Sequence, residues 1–247
     1  MVTAARNHGK EWRSYFDVTR SGTYGFLAAL PLWVAYEVLI LMANSARLGE
    51  IRVSADIWIK RVLSSFGAAG MFGLGIAVLI AGIAVFYWER KKNLPIRPRF
   101  LFMMPLESAV YAIALGWVVG TAIGIVFAMA PPQMAQIDGP TQLALSLGAG
   151  LYEELVFRVL LVGGLFWLLR KFSDRSAAYL SAALIGAAIF SAVHYVGPLG
   201  DPFTISSFAF RFLFGLMLNG LYILRGFGVV AWTHALYDVS IVVGFWG

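Results

Sequence analysis

The sequence predicts an all-α protein: a polytopic transmembrane helical bundle of seven spans, with eight as the alternative. Three observations point there. The chain of 247 residues is 60% hydrophobic and only 13% charged, with a mean hydropathy of +0.78, which is more apolar surface than one soluble core can bury. Its apolar runs reach the roughly 18 residues that cross a bilayer. Its lysines and arginines gather between those runs, as loops on the cytoplasmic side do.

Spans are expected at 26–43, 68–88, 101–130, 141–169, 176–196, 204–224 and 227–246. The segment 51–66 is the candidate eighth, but it carries Arg52, Asp56, Lys60 and Arg61 and reads better as an amphipathic interfacial helix. Connections are short and marked by Leu94-Pro95, Pro131-Pro132, Gly139-Pro140, Gly197-Pro198 and Gly226-Phe-Gly228. With no linker, residues 1–247 form a single expected membrane domain. Residues 1–25 are polar and carry Arg6, Lys10, Arg13 and Arg20, unlike a cleavable signal peptide. Trp12, Tyr15 and Phe16 fall at i, i+3, i+4 and predict a cytoplasmic amphipathic segment lying at the interface.

Loops 89–99 and 170–175 are rich in Lys and Arg, whereas 131–140 and 197–203 have none. Seven spans with a cytoplasmic N-terminus satisfy all four loops. The 44–67 segment, with four basic residues, does not fit and keeps the eight-span alternative open. The net charge of +6 is thus explained by loops, and no nucleic-acid partner is expected. Absence of cysteine excludes a thiolate nucleophile and any cysteine metal site. Gly116, Gly120 and Gly124 recur every four residues and predict close helix packing, within the chain rather than between two copies.

Ionisable groups at membrane depth cost several kcal/mol and mark function by default. The run Gly148-Ala-Gly-Leu-Tyr-Glu-Glu-Leu-Val-Phe-Arg-Val-Leu-Leu-Val holds three of them. Glu154 and Arg158 stand at i, i+4 and can neutralise each other. Glu153 is turned about 100° away, has Phe157 at i+4, and is left free for general-base work. Phe190-Ser-Ala-Val-His194 puts a ring on the face of an imidazole, and His234-Ala-Leu-Tyr-Asp238 puts a carboxylate where it can fix an imidazole tautomer. His8 lies in the polar N-terminal segment. At about 1.5 Å per residue, Glu153 and His194 lie about 25 Å from the cytoplasmic helix ends but His234 only about 10 Å. The last span is therefore expected to start deeper or to tilt.

These three motifs, Glu153-Glu154-Leu-Val-Phe-Arg158, Phe190-Ser-Ala-Val-His194 and His234-Ala-Leu-Tyr-Asp238, resemble in type and order those of the CPBP family. That family comprises the type II CAAX prenyl proteases and bacterial relatives also called Abi or bacteriocin-processing and immunity proteins. Phe212-Leu-Phe-Gly-Leu-Met-Leu-Asn-Gly-Leu-Tyr also looks like the family, and the resemblance covers about 141–240. It implies an intramembrane glutamic endopeptidase without a cofactor. In it Glu153 and His194 would activate water, His234 and residue 238 would stabilise the oxyanion, and Glu154 with Arg158 would hold the site together. The motif phenylalanines Phe157 and Phe190 are the expected substrate contacts. The eukaryotic prenyl proteases resemble one another in having asparagine where this chain has Asp238, and an ionised aspartate cannot donate to an oxyanion.

Two alternatives stay open. Glu153, His194, His234 and Asp238 would also suit a zinc site, although no His-Glu-x-x-His helix is present. A non-enzymatic immunity protein could use the same polar groups to lock helices. Glu37, Glu107 and Arg211 also lie in spans; Arg211 is expected to be a counter-ion for one of the glutamates or for the catalytic carboxylates. Expected partners are membrane lipid and a membrane-associated protein or peptide substrate, for a monomer in a prokaryotic plasma membrane.

Overall fold

A computed structural model describes residues 14–44, 52–53, 55–57, 59, 65, 70–126, 138–197 and 200–246. Regular structure among them is entirely helical. Helix α1 is Gly22–Asn44, α2 Gly70–Glu89 and α3 Pro98–Val126. Helix α4 opens as Gly139–Gly148, widens into π-helical turns over Ala149–Glu153 and Leu155–Val162, and closes as Gly163–Leu169. Helices α5, α6 and α7 are Arg175–Val193, Ile205–Arg225 and Phe227–Val242. Among the described residues α1, α3, α5 and α6 are long and apolar enough to cross a membrane, and α7 is apolar but shorter. Trp12, residues 127–137 and most of 51–66, including Lys60 and Arg61, lie outside the described residues.

Side-chain caps explain several boundaries. Asp138 accepts the Thr141 N–H at the start of α4, Asp174 those of Ser176 and Ala177 at α5, and Thr204 that of Ser207 at α6. Each satisfies backbone donors that a helix start leaves open. At α1 the cap comes from another element: the Glu89 carboxylate, at the end of α2, accepts the Gly22 and Thr23 N–H groups at 3.2 and 2.8 Å. That bond ties α1 to α2 and gives the first turn of α1 the negative charge a helix start favours.

Helix α7 is the centre of the bundle and packs on α1, α3, α4 and α6. It runs parallel to α3. Ser108 Oγ donates to the Val229 carbonyl at 3.0 Å, and eight residues on in both helices a Cβ at Gly116 would sit 2.8 Å from Tyr237. Val229 is thus level with a residue about 15 Å into α3, and His234 lies about 7 Å beyond it. His234 is therefore about 22 Å from the start of α3. Gly228 meanwhile touches Gly25 in the first turn of α1, and the 16 residues of α7 cover only about 24 Å, against a hydrocarbon core about 30 Å thick.

Three things fix where it starts. Gly226 reverses the chain between α6 and α7 with φ 78°, a conformation suited to glycine, and any Cβ would lie 2.7 Å from the Arg20 carbonyl. Arg225 then spends its charge at depth on Glu107, with Nε–Oε1 2.5 Å and Nη2–Oε2 2.9 Å. Helical residues 14–19 cover the turn: Arg225 also donates to Thr19 Oγ1 and the Phe16 carbonyl, and Tyr15 OH donates to Glu107 at 2.5 Å. Two expectations change here. Tyr15 is buried in the main apolar cluster rather than resting on a membrane surface, because its hydroxyl has a carboxylate to meet. The counter-ion of Glu107 is Arg225, not Arg211.

Other elements settle similarly. Arg52 pairs with Asp56 at 3.1 Å and with Glu37 at 3.5 Å, and Tyr36 OH donates to Asp56 at 2.8 Å. Arg52 and Asp56 thus face inward, against the interfacial expectation for this part of 51–66, because Glu37 and Tyr36 of α1 offer them partners. Gly116 packs within the chain against Tyr237 and Trp246, whereas Gly120 and Gly124 meet no atom among the described residues that would touch a Cβ. Breaking the Glu107–Arg225 pair from one side strands a buried charge, at a cost of about 3–5 kcal/mol. Glu107→Gln should accordingly lower the unfolding midpoint in detergent by many degrees, and adding Arg225→Met should restore part of the loss.

Candidate active site

Three helices deliver the site. Helix α4 brings Glu153, Glu154 and Arg158; His194 follows the last residue of α5; α7 brings His234 and Asp238. Small residues set the separations. A Cβ on Gly150 would lie 2.5 Å from the Ala231 carbonyl and the Ala235 nitrogen, so α4 touches α7 backbone to backbone. Gly215 of α6 likewise lies under the Phe190 ring, where a Cβ would come within 2.8 Å.

The centre of the cluster is Glu154. Its Oε2 lies 3.0 Å from Arg158 Nε, the i, i+4 pair that the spacing predicts, and its Oε1 lies 2.6 Å from His234 Nδ1. Glu154 and Arg158 are both fully buried. The guanidinium also stacks 4.4 Å over the Phe190 ring and reaches the Gly215 carbonyl at 3.4 Å. A charge so far from water requires partners of this kind. One carboxylate thus joins α4 to α7, with its own helix supplying the balancing cation.

This corrects the sequence expectation for Asp238. Its Oδ2 stands 3.6 Å from His234 Nε2, too far for a hydrogen bond. The group that orients the ring is Glu154, at the opposite nitrogen. Helical spacing shows only partners on the same helix, so the bond across 80 residues had no signal in the sequence.

The second imidazole is held by its own helix. His194 Nδ1 lies 2.7 Å from the Phe190 carbonyl, which has no proton to give, so Nδ1 carries the hydrogen and Nε2 presents a lone pair. That Nε2 faces Glu153 Oε2 at 4.0 Å. Glu153 has the separate position that helical rotation predicts, away from Arg158 and partly open. The π-helical turns, which the sequence did not reveal, fall on this stretch of α4, and such widened turns are frequent at functional sites.

Phe157 and Phe190 do not offer a surface to a substrate. They are 4% and 2% exposed, pack edge-to-face on each other at 5.1 Å, and Phe190 abuts both His194 and His234, at 5.0 and 6.1 Å. They brace the imidazoles. Among the described residues no group of three His, Cys, Asp or Glu side chains is placed to hold a metal ion, and His234 Nδ1 is engaged by Glu154. Arg211 is not the counter-ion of Glu37 or Glu107; it pairs with Asp201. Glu37 meets Arg52 and accepts from Tyr152 OH at 3.3 Å, next to Glu153 in sequence.

Residues 139–240 match the family model of the type II CAAX prenyl endopeptidase, Rce1-like. No curated protein and no solved structure matches the chain. The segment that carries the site is therefore similar to the CAAX prenyl endopeptidases, and the apolar helices around it make this an integral multi-pass membrane protein. Since Glu154 both pairs with Arg158 and orients His234, Glu154→Gln should destabilise the fold by about 3 kcal/mol or more. Thermal unfolding in detergent, compared with Glu153→Gln, checks this: the Glu153 variant should unfold within a degree or two of wild type.

Proposed function

We propose that the chain is a glutamic-type intramembrane endopeptidase that cleaves a membrane-associated or lipid-modified protein or peptide. The observation that carries this is the facing of two hydrogen-bond acceptors, Glu153 Oε2 and His194 Nε2, 4.0 Å apart. A water held at about 2.8 Å from each gives one O–H to the carboxylate and one to the imidazole. Its oxygen lone pair is then free to attack. Glu154 cannot serve in this way, because His234 engages its Oε1 and the Arg158 guanidinium its Oε2; the other facing pair, His234 Nε2 and Asp238 Oδ2 at 3.6 Å, is assigned to the oxyanion side.

The reaction follows in order. Glu153 takes a proton from the water as its oxygen bonds to the peptide carbonyl carbon. The carbonyl electrons move onto oxygen, and the oxyanion is met by His234 Nε2–H. For Nε2 to donate while Nδ1 donates to Glu154, the ring carries both protons, and Glu154 and Asp238 are the two carboxylates that balance that charge. The carbon–nitrogen bond then breaks, and the proton held by Glu153 passes to the leaving amine. Asp238 supports His234 electrostatically and does not itself need to donate.

The architecture supports seven crossings, made by α1 to α7, with α7 the shortest and the site near the non-cytoplasmic side. A monomer in a prokaryotic plasma membrane fits this arrangement, because all site residues come from one chain. Glu153→Gln and His194→Ala should each reduce cleavage at least 100-fold, the lower range for loss of a positioned acid or base. The assay is mass spectrometry of peptides with and without a prenylated C-terminal cysteine, incubated with protein in nanodiscs. If Glu153→Gln cleaves like wild type, the mechanism fails. Wild-type activity should also persist in EDTA; complete inhibition, reversed by zinc, would replace this mechanism with a metal-dependent one.

A further inference from the structure

A second polar network lies against α4 and has no part in the chemistry above. Tyr36 and Glu37 are neighbours on α1, and Arg52 and Asp56 stand at i, i+4 in the segment that follows it. Arg52 pairs with Asp56 at 3.1 Å and with Glu37 at 3.5 Å, and Tyr36 OH donates to Asp56 at 2.8 Å. The network reaches the site through Tyr152, whose OH donates to Glu37 Oε1 at 3.3 Å. Tyr152 immediately precedes Glu153. None of these residues is part of the three motifs.

The wide turn Ala149–Glu153 is held on both sides by one tyrosine. Just before it, a Cβ on Gly148 would lie 2.5 Å from the Tyr36 ring and 2.7 Å from Val53. Inside it, the buried Tyr152 ring packs edge-to-face on Tyr36 at 5.2 Å. Ring packing resists displacement, and the bond to Glu37 adds direction. Direction matters here because a π-helical turn holds one residue more than an α-helical one. If the turn tightened, the side chains after it would swing by about 100°, the angle between successive residues. Glu153 would then turn away from His194, and their facing at 4.0 Å would be lost.

We infer that Tyr152 and Glu37 are positioning residues for Glu153: their bond keeps the wide turn of α4 open, so that the catalytic carboxylate faces His194. Arg52 and Asp56 hold Glu37 in its turn. Neither Tyr152 nor Glu37 moves a proton in the reaction. This inference rests on the peptidase function proposed above.

The test uses the peptide assay in nanodiscs. Tyr152→Phe keeps the ring and removes the bond; it should lower kcat by about tenfold to a hundredfold, the scale of a 1 Å misplacement, and leave KM unchanged. Glu37→Gln retains an oxygen that can accept from Tyr152 and should keep most of the activity, whereas Glu37→Leu should lose as much as Tyr152→Phe. Combining Tyr152→Phe with Glu37→Leu should cost no more in kcat than either change alone. Wild-type kcat in Tyr152→Phe overturns the inference and leaves the peptidase standing. A loss carried by KM overturns it too, since Tyr152 would then serve substrate binding, as do equal losses in Glu37→Gln and Glu37→Leu or additive losses in the double variant. If wild type cleaves no peptide, the peptidase reading fails by itself and hydrogen exchange in detergent decides the positioning. Tyr152→Phe should speed exchange of the amides of residues 149–158 and not those of α5 or α6; unchanged exchange at 149–158, or a rise throughout the bundle, overturns the inference.

Discussion

The buried Glu154 carboxylate is the contact on which the site depends. It is ion-paired with Arg158 of its own helix and hydrogen-bonded to His234 of another. An anion alone at that depth would be costly, and so would the guanidinium. Together they form a neutral unit that still has one oxygen available to a third group. The consequence is geometric. The imidazole of α7 cannot rotate without breaking a bond to a fully buried carboxylate, so α4 and α7 share one fixed register at the reacting end.

The remaining architecture protects that register. Gly150 allows α4 and α7 to meet at backbone distance, and Gly228 does the same for α7 and α1, where a Cβ would lie 3.1 Å from Gly25. Trp232 Nε1 donates to the Ala28 carbonyl at 2.7 Å and ties the same pair of helices. Phe190 takes the space between the two imidazoles. Its contact with Arg158 on one side and with His194 on the other passes the rigidity of the buried pair to the more open half of the site. Glu153 and His194 are thus the partly open polar groups, whereas Glu154 and Arg158, which hold position, are sealed.

The sequence made some of this legible. Apolar run length revealed the helices, and i, i+4 spacing revealed the Glu154–Arg158 pair and the separateness of Glu153. Spacing also brought Phe190 to His194 correctly. It failed where partners come from distant helices. Asp238 was assigned the tautomer-fixing role because it is the only carboxylate within helical reach of His234, whereas the actual partner is 80 residues earlier. Arg211 and Arg225 are equivalent from composition alone, and only packing shows that Glu107 meets the second. The widened turns of α4 leave no periodic trace, since apolar residues surround the motif on every face.

The turn into α7 bears on how the molecule is made. It is lined by Arg225 and closed by residues 14–19, so segments more than 200 residues apart meet at one ion pair. During synthesis Glu107 enters the bilayer long before Arg225 exists to neutralise it. Until α6 and α7 arrive together as a hairpin, Glu154 likewise lacks its imidazole. A nascent chain released before its last helix would contain the nucleophile-activating pair without the third helix that completes the site. Insertion of the final hairpin therefore both relieves an isolated charge and completes the polar cluster.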